Sequence, residues 1–151
     1  MEKTLRGHER GQSLAEVTIA VSVVILIITG LIVGTTASLK TSQFNRSRSI
    51  AVKYAQEAME RARKLRDGGW TTFQSYGSAT GNTWCLDGAG QWIDVPTICE
   101  VNSYLDNVFN RTVLFTWDSV NDRMRIDISV AWADVNRDHT VTLSSILTQW
   151  R

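Results

Sequence analysis

Proline is almost missing from this chain, with one in 151 residues, at position 96. Nothing in the backbone chemistry therefore obliges a helix to break before Pro96. Cysteine occurs twice, at Cys85 and Cys99, and histidine twice, at His8 and His139. Neither a second cysteine pair nor a nearby histidine supports a zinc site, so no metal or cofactor is expected. No Ser/His/Asp set, phosphate loop or paired carboxylates beside an apolar cleft stand out, and the chain is read as a non-enzyme. Disorder is excluded by composition, at 43% hydrophobic and 21% charged. The length suits one modest domain.

Charge is missing from one long stretch. Between Glu16 and Lys40 stand twenty-three uncharged residues, "VTIAVSVVILIITGLIVGTTASL". As a helix they would rise about 35 Å, enough for a hydrocarbon core of roughly 30 Å. Upstream lies a short leader, residues 1–11, with Lys3, Arg6 and Arg10 against Glu2 and Glu9. A basic leader before an apolar run places the N-terminus in the cytoplasm and the rest outside. Three readings fit the run. It is a single-pass anchor, or a secretory signal peptide cut after Ala37, or a segment freed at its front by cutting between Gly11 and Gln12. The apolar stretch is longer than a signal core of 7–15 residues. Only the third reading accounts for both Gly11 and Glu16.

With Gly11 closing a basic leader, Glu16 fifth after it and a long apolar helix following, the sequence resembles the prepilins of the type IV pilin-like family. That family comprises pilins, minor pilins and type II secretion pseudopilins. The resemblance implies cleavage after Gly11 by a membrane-embedded prepilin peptidase and methylation of the new amine of Gln12. The family commonly has Phe at that first position and "TLIE" where this chain reads "SLAE". The implied function is that of a structural subunit, with other pilin subunits and the membrane assembly platform as partners. It is stored as a single-pass protein of the cytoplasmic membrane, with its head outside, and then polymerised through residues 12–39. Glu16 would meet the Gln12 amine of a neighbour in the filament. Pilus, secretion and DNA-uptake machines share this N-terminal logic.

Gly30 and Gly34 form a small-xxx-small pair that lets helices approach closely in lipid. They also weaken the helix, at about 1 kcal/mol each. Beyond the apolar run, residues 40–67 continue the helix. Ala51, Tyr54, Ala55, Ala58, Ala62 and Leu65 follow steps of three and four, and Glu57–Arg61 and Glu60–Lys64 are ordered to pair at i,i+4. Gly68–Gly69 is the expected stop. The uninterrupted helix from Ser13 to Asp67 would be roughly 80 Å long. Arg61, Arg63, Lys64 and Arg66 form a basic cluster, read as a solvated face or as a contact for phospholipid, an acidic neighbour or nucleic acid. From Gln12 to Asp67 there are eight Lys/Arg and four Asp/Glu; from Gly68 to Arg151 there are five and nine.

Residues 68–151 form the head. Residues 68–110, rich in Gly, Ser, Thr and Asn, are expected as a connecting loop. Cys85 and Cys99 would staple it in an oxidising space; two free thiols are the alternative. Trp84, Trp92 and Tyr76 either hold this loop down or present a carbohydrate-binding face. An antiparallel sheet is expected over about 111–148. Val113, Phe115 and Trp117 alternate in one strand, and Met124, Ile126, Ile128, Val130 and Trp132 in the next, with "TVTLSS" third. Asp134, Asn136, Asp138 and Thr140 imitate half a calcium loop, but His139 and Ser145 stand where Gly and Glu belong, so a turn is preferred. The fold class is therefore α+β, a long N-terminal helix covering an antiparallel meander. This is the pilin layout that the resemblance implies.

Overall fold

The computed structural model of the chain describes residues 9–94, 99, 105–106, 108–134 and 137–149, with side chains from Leu14 onward. The leader up to His8 thus lies outside the described residues, as do the side chains of Gly11 and Gln12. One helix, α1 (Glu9–Gly68), is followed by a short α2 (Trp70–Gln74) and five strands. These are β1 (Asn82–Leu86), β2 (Trp92–Asp94), β3 (Phe109–Asp118), β4 (Arg123–Asp134) and β5 (Arg137–Thr148). The chain forms two compact units, one ending at Asn45 and one beginning at Arg46.

In the first unit the described residues are helix alone. In the second, the sheet runs β2-β1-β3-β4-β5 with every neighbouring pair antiparallel. The long strands obey the period-two rule. Phe109, Val113, Phe115, Met124, Ile126, Ile128, Val130 and Trp132 are buried on one face, opposite polar or small residues such as Thr112, Ser129 and Thr142. Ala51, Ala55, Ala58 and Ala62 of α1, none more than 1% exposed, belong to the same core as that face. Alanine has no side chain to hold the helix away, so its backbone sits close to the sheet. The alternation of β3 and β4 and the alanine stripe match the sequence pattern residue for residue.

The connecting segment departs from expectation. Residues 68–110 also carry short elements: α2, β1 and β2 lie within them, and β1 pairs with β3 through Asn82↔Phe115 to Cys85↔Thr112. Five-residue and three-residue strands are too short to show a period, so only their partners reveal them. The sheet accordingly starts before residue 111. β2 and β3 flank β1 and run parallel to each other, so the chain must return past β1 between them. Cys99, on that return, is bonded to Cys85 of β1 with a Cα–Cα distance of 5.6 Å.

Turn chemistry closes the hairpin between β3 and β4. Asp118 Oδ1 accepts from the backbone N–H groups of Val120 and Asn121, both at 3.2 Å. Its Oδ2 accepts from Asn121 Nδ2 and Arg123 Nε, both at 2.8 Å. Hydrogen bonds from Asn121, with Arg123 beside it, hold the Asp118 carboxyl below the usual range.

Candidate functional site

The apolar segment is uncovered among the described residues. Every large apolar side chain from Leu14 to Leu39 is exposed, between 49% and 72%. These fourteen residues form a continuous uncovered apolar surface, and this helix alone is long and apolar enough, among the described residues, to cross a membrane. Its hydroxyls are dealt with locally. Thr18, Ser22, Thr29, Thr35 and Thr36 each donate to a carbonyl three or four residues back, at 2.7–2.9 Å. In lipid, where no water is available to hydrogen-bond, that arrangement satisfies these five hydroxyl hydrogens.

Glu16 is exposed at the start of this segment, and no other acidic residue stands between Glu9 and Glu57. Gly30 and Gly34, four apart on one face of α1, have open space where a Cβ would be. The helix runs through both without interruption, so they act as a shallow strip rather than as a break. Gly11 and Gln12 belong to α1 by backbone, and the expected cleavage and methylation would fall on the peptide bond between them and on the α-amine that it releases.

In the second unit one charged side chain occupies the buried face of the sheet. Arg111 precedes Val113 and Phe115 in the inward row of β3 and is 1% exposed. Its guanidinium is a three-way clamp. Nε donates to the Leu86 carbonyl at 3.2 Å, Nη2 to the Asp87 carbonyl at 3.1 Å, and Nη1 to the Tyr54 carbonyl of α1 at 3.0 Å. Glu57 Oε2 is 3.5 Å from Nη1, and the Tyr54 ring lies 5.8 Å from the guanidinium carbon. Burial pulls the Arg111 pKa down and the Glu57 carboxylate works against that. Helix, β1 and the turn after it are thereby tied to one cation.

Glu57 is shared. Its Oε1 accepts from Arg61 Nε at 3.1 Å, and Arg61 Nη1 reaches the carbonyl of Gly90 at 3.4 Å. Gly90 takes φ 83, a conformation that favours glycine, and a Cβ there would push the Arg61 guanidinium aside. Tyr54 donates its phenolic hydrogen to Asp106, which raises the Tyr54 pKa to about 12, with burial adding to the effect. Asp106 sits at φ 52 in a tight turn, within which Leu105 and Phe109 exchange backbone hydrogen bonds at 2.8 and 2.9 Å.

Sequence reasoning passed over Arg111, Tyr54 and Asp106 as functional positions. The alternation of β3 held the signal, because stepping back by two from Val113 puts Arg111 on the core face. The basic cluster of α1 is largely neutralised: Arg61 pairs with Glu57, Arg63 with Glu60 at 2.5 Å and Arg66 with Asp67 at 2.9 Å. This leaves little excess positive charge for nucleic acid. Trp84 donates its indole N–H to the Tyr76 carbonyl at 2.8 Å, while Trp92 and Tyr76 pack with Phe115. These aromatics hold the segment down. Asp134 and Asp138 flank the β4–β5 hairpin, where Asp134 pairs in register with Arg137 and Ala133 with Asp138; Asn136 lies outside the described residues. No cluster of three His, Cys, Asp or Glu able to hold a metal occurs among the described residues.

No family model, no curated protein and no solved structure matches the chain.

Proposed function

We propose that this chain is a structural subunit, a minor pilin or pseudopilin, of a type IV pilus-like filament. It is inserted in the cytoplasmic membrane, cut after Gly11 by a prepilin peptidase, methylated at Gln12, and taken up by an assembly platform that packs its apolar helix against those of other subunits. The observation that carries this reading is an apolar helix segment with no cover in its own chain and one carboxylate, Glu16, at its start. The α+β head with an alanine-lined helix on an antiparallel sheet supports the same reading.

The chemistry follows from solvation. An ionised carboxylate at the centre of a membrane helix costs about 2.5–3.5 kcal/mol, so an acidic residue there is retained for a partner. The α-amine released at Gln12 is that partner, supplied by an adjacent subunit. At about 4 Å and an effective dielectric near 20 the pair attracts by roughly 4 kcal/mol before desolvation. Staggering a subunit wrongly leaves both charges unpaired, so the pair sets register as well as affinity. Glu16→Gln is therefore expected to be processed normally and to fall out of filaments, by a factor of ten or more in the sheared fraction. Filaments that accept the variant at the wild-type level would remove Glu16 from the mechanism.

A further inference from the structure

Apart from Lys64, which stands within the paired stretch, the cations of α1 with described side chains fall into two sets. Arg61, Arg63 and Arg66 each have a carboxylate partner on the same helix. Lys40, Arg46, Arg48 and Lys53 have none among the described residues, and all four are exposed. No acidic residue occurs from Val17 to Gln56, so none lies within a helical turn of Lys40, Arg46 or Arg48, while Glu57, four residues after Lys53, pairs with Arg61 and Arg111. The unpaired cations thus begin where the apolar run stops. Lys40 is the first residue after it, and Arg46 and Arg48 follow within the stretch over which flanking charges sense a membrane.

We propose that Lys40, Arg46 and Arg48 hold the headgroup phosphates of anionic phospholipid at the membrane face where the apolar segment ends. This rests on the reading of that segment as a membrane span. Arg46 and Arg48 are two residues apart on one helix and so project to different sides. A protein partner docks on one side of a helix; an annulus of lipid surrounds it, and this distribution fits the annulus. Arginine presents a planar fork that pairs with phosphate oxygens bidentately, and lysine adds a point charge on a stem long enough to reach the headgroup layer. The lipid then anchors the subunit electrostatically while it is stored, in addition to the apolar anchor.

The test uses the full chain in phosphatidylcholine nanodiscs containing trace spin-labelled phosphatidylglycerol or phosphatidylcholine, with the motion-restricted fraction read by electron paramagnetic resonance. The wild-type chain should select the anionic label several-fold at low salt, against the roughly fivefold that one basic residue at an anionic surface is worth. High salt should erode the preference. K40Q/R46Q/R48Q should bring the ratio of the two labels close to one. Equal restriction of both labels by the wild type, or undiminished selection by the triple variant, overturns the proposal. Alkaline extraction of the same samples separates the two levels. A chain that washes out of the bilayer contradicts the membrane span itself, and a chain that stays without lipid preference contradicts only the headgroup contact.

Discussion

Arg111→Met should destabilise the second unit by about 3–5 kcal/mol. Methionine fills much of the same volume, so the cost is not a cavity. It arises because the carbonyls of Leu86, Asp87 and Tyr54 lose charged donors at 3.0–3.2 Å in a place that water does not reach. Glu57 also loses a neighbour, but Arg61 and solvent still serve it, so its share is small. Arg111→Lys should fall in between, since one ammonium cannot span three carbonyls in the plane of a fork. Arg125→Met is the control: that side chain is 62% exposed and pairs with Asp127, and its loss should change stability by less than about 0.5 kcal/mol. Denaturant midpoints of the full chain in detergent, followed by tryptophan fluorescence, measure all three. An Arg111→Met midpoint equal to that of the wild type would show that the clamp contributes nothing to stability.

Removing the Cys85–Cys99 bond is expected to cost about 3 kcal/mol, the value that chain entropy assigns to a loop closed at a separation of 14. The location makes the effect local as well as global. Cys85 lies in β1 between partners on both sides, Ile93 and Thr112, and Cys99 lies on the only covalent route from β2 to β3. Without the bond, β2 is held by three register pairs and by the packing of Trp92 against Phe115. C85S/C99S should therefore lower the midpoint and also accelerate amide exchange in β1 and β2 before it does so in β3 and β4. Uniform acceleration across all five strands would mean that the bond acts only on the unfolded chain. A wild-type midpoint indifferent to reductant would contradict the stapling role.

How far such features can be read from sequence depends on their length. The apolar run, the alanine stripe and the rows of β3 and β4 each repeat their pattern several times, and the structure follows them. β1 has five residues with two buried side chains, and β2 has three residues with none fully buried. Their strand character comes from Cα partners in β3 and in each other, which no local period encodes. Arg111 was concealed for another reason. A charged residue at the front of a strand reads as the polar edge of the turn before it, and only the buried Phe109 two positions earlier shows that the strand already runs there. The basic cluster misleads in the opposite sense. As a run, Arg61, Arg63, Lys64 and Arg66 look like a binding surface, yet helical spacing gives three of them acids of their own. The cations without partners, from Lys40 to Lys53, are too spread out in sequence to look like a cluster.

The filament reading stands on the N-terminus of the mature chain, and that is the measurement that tests it most directly. Intact mass and N-terminal sequence of the chain recovered from membranes should give a start at Gln12 carrying one methyl group on its amine. A chain beginning at Ser38 would be a secreted protein freed of an ordinary signal peptide, and one retaining Met1 would be a plain anchor. Either result would contradict prepilin processing and leave Glu16 without its partner.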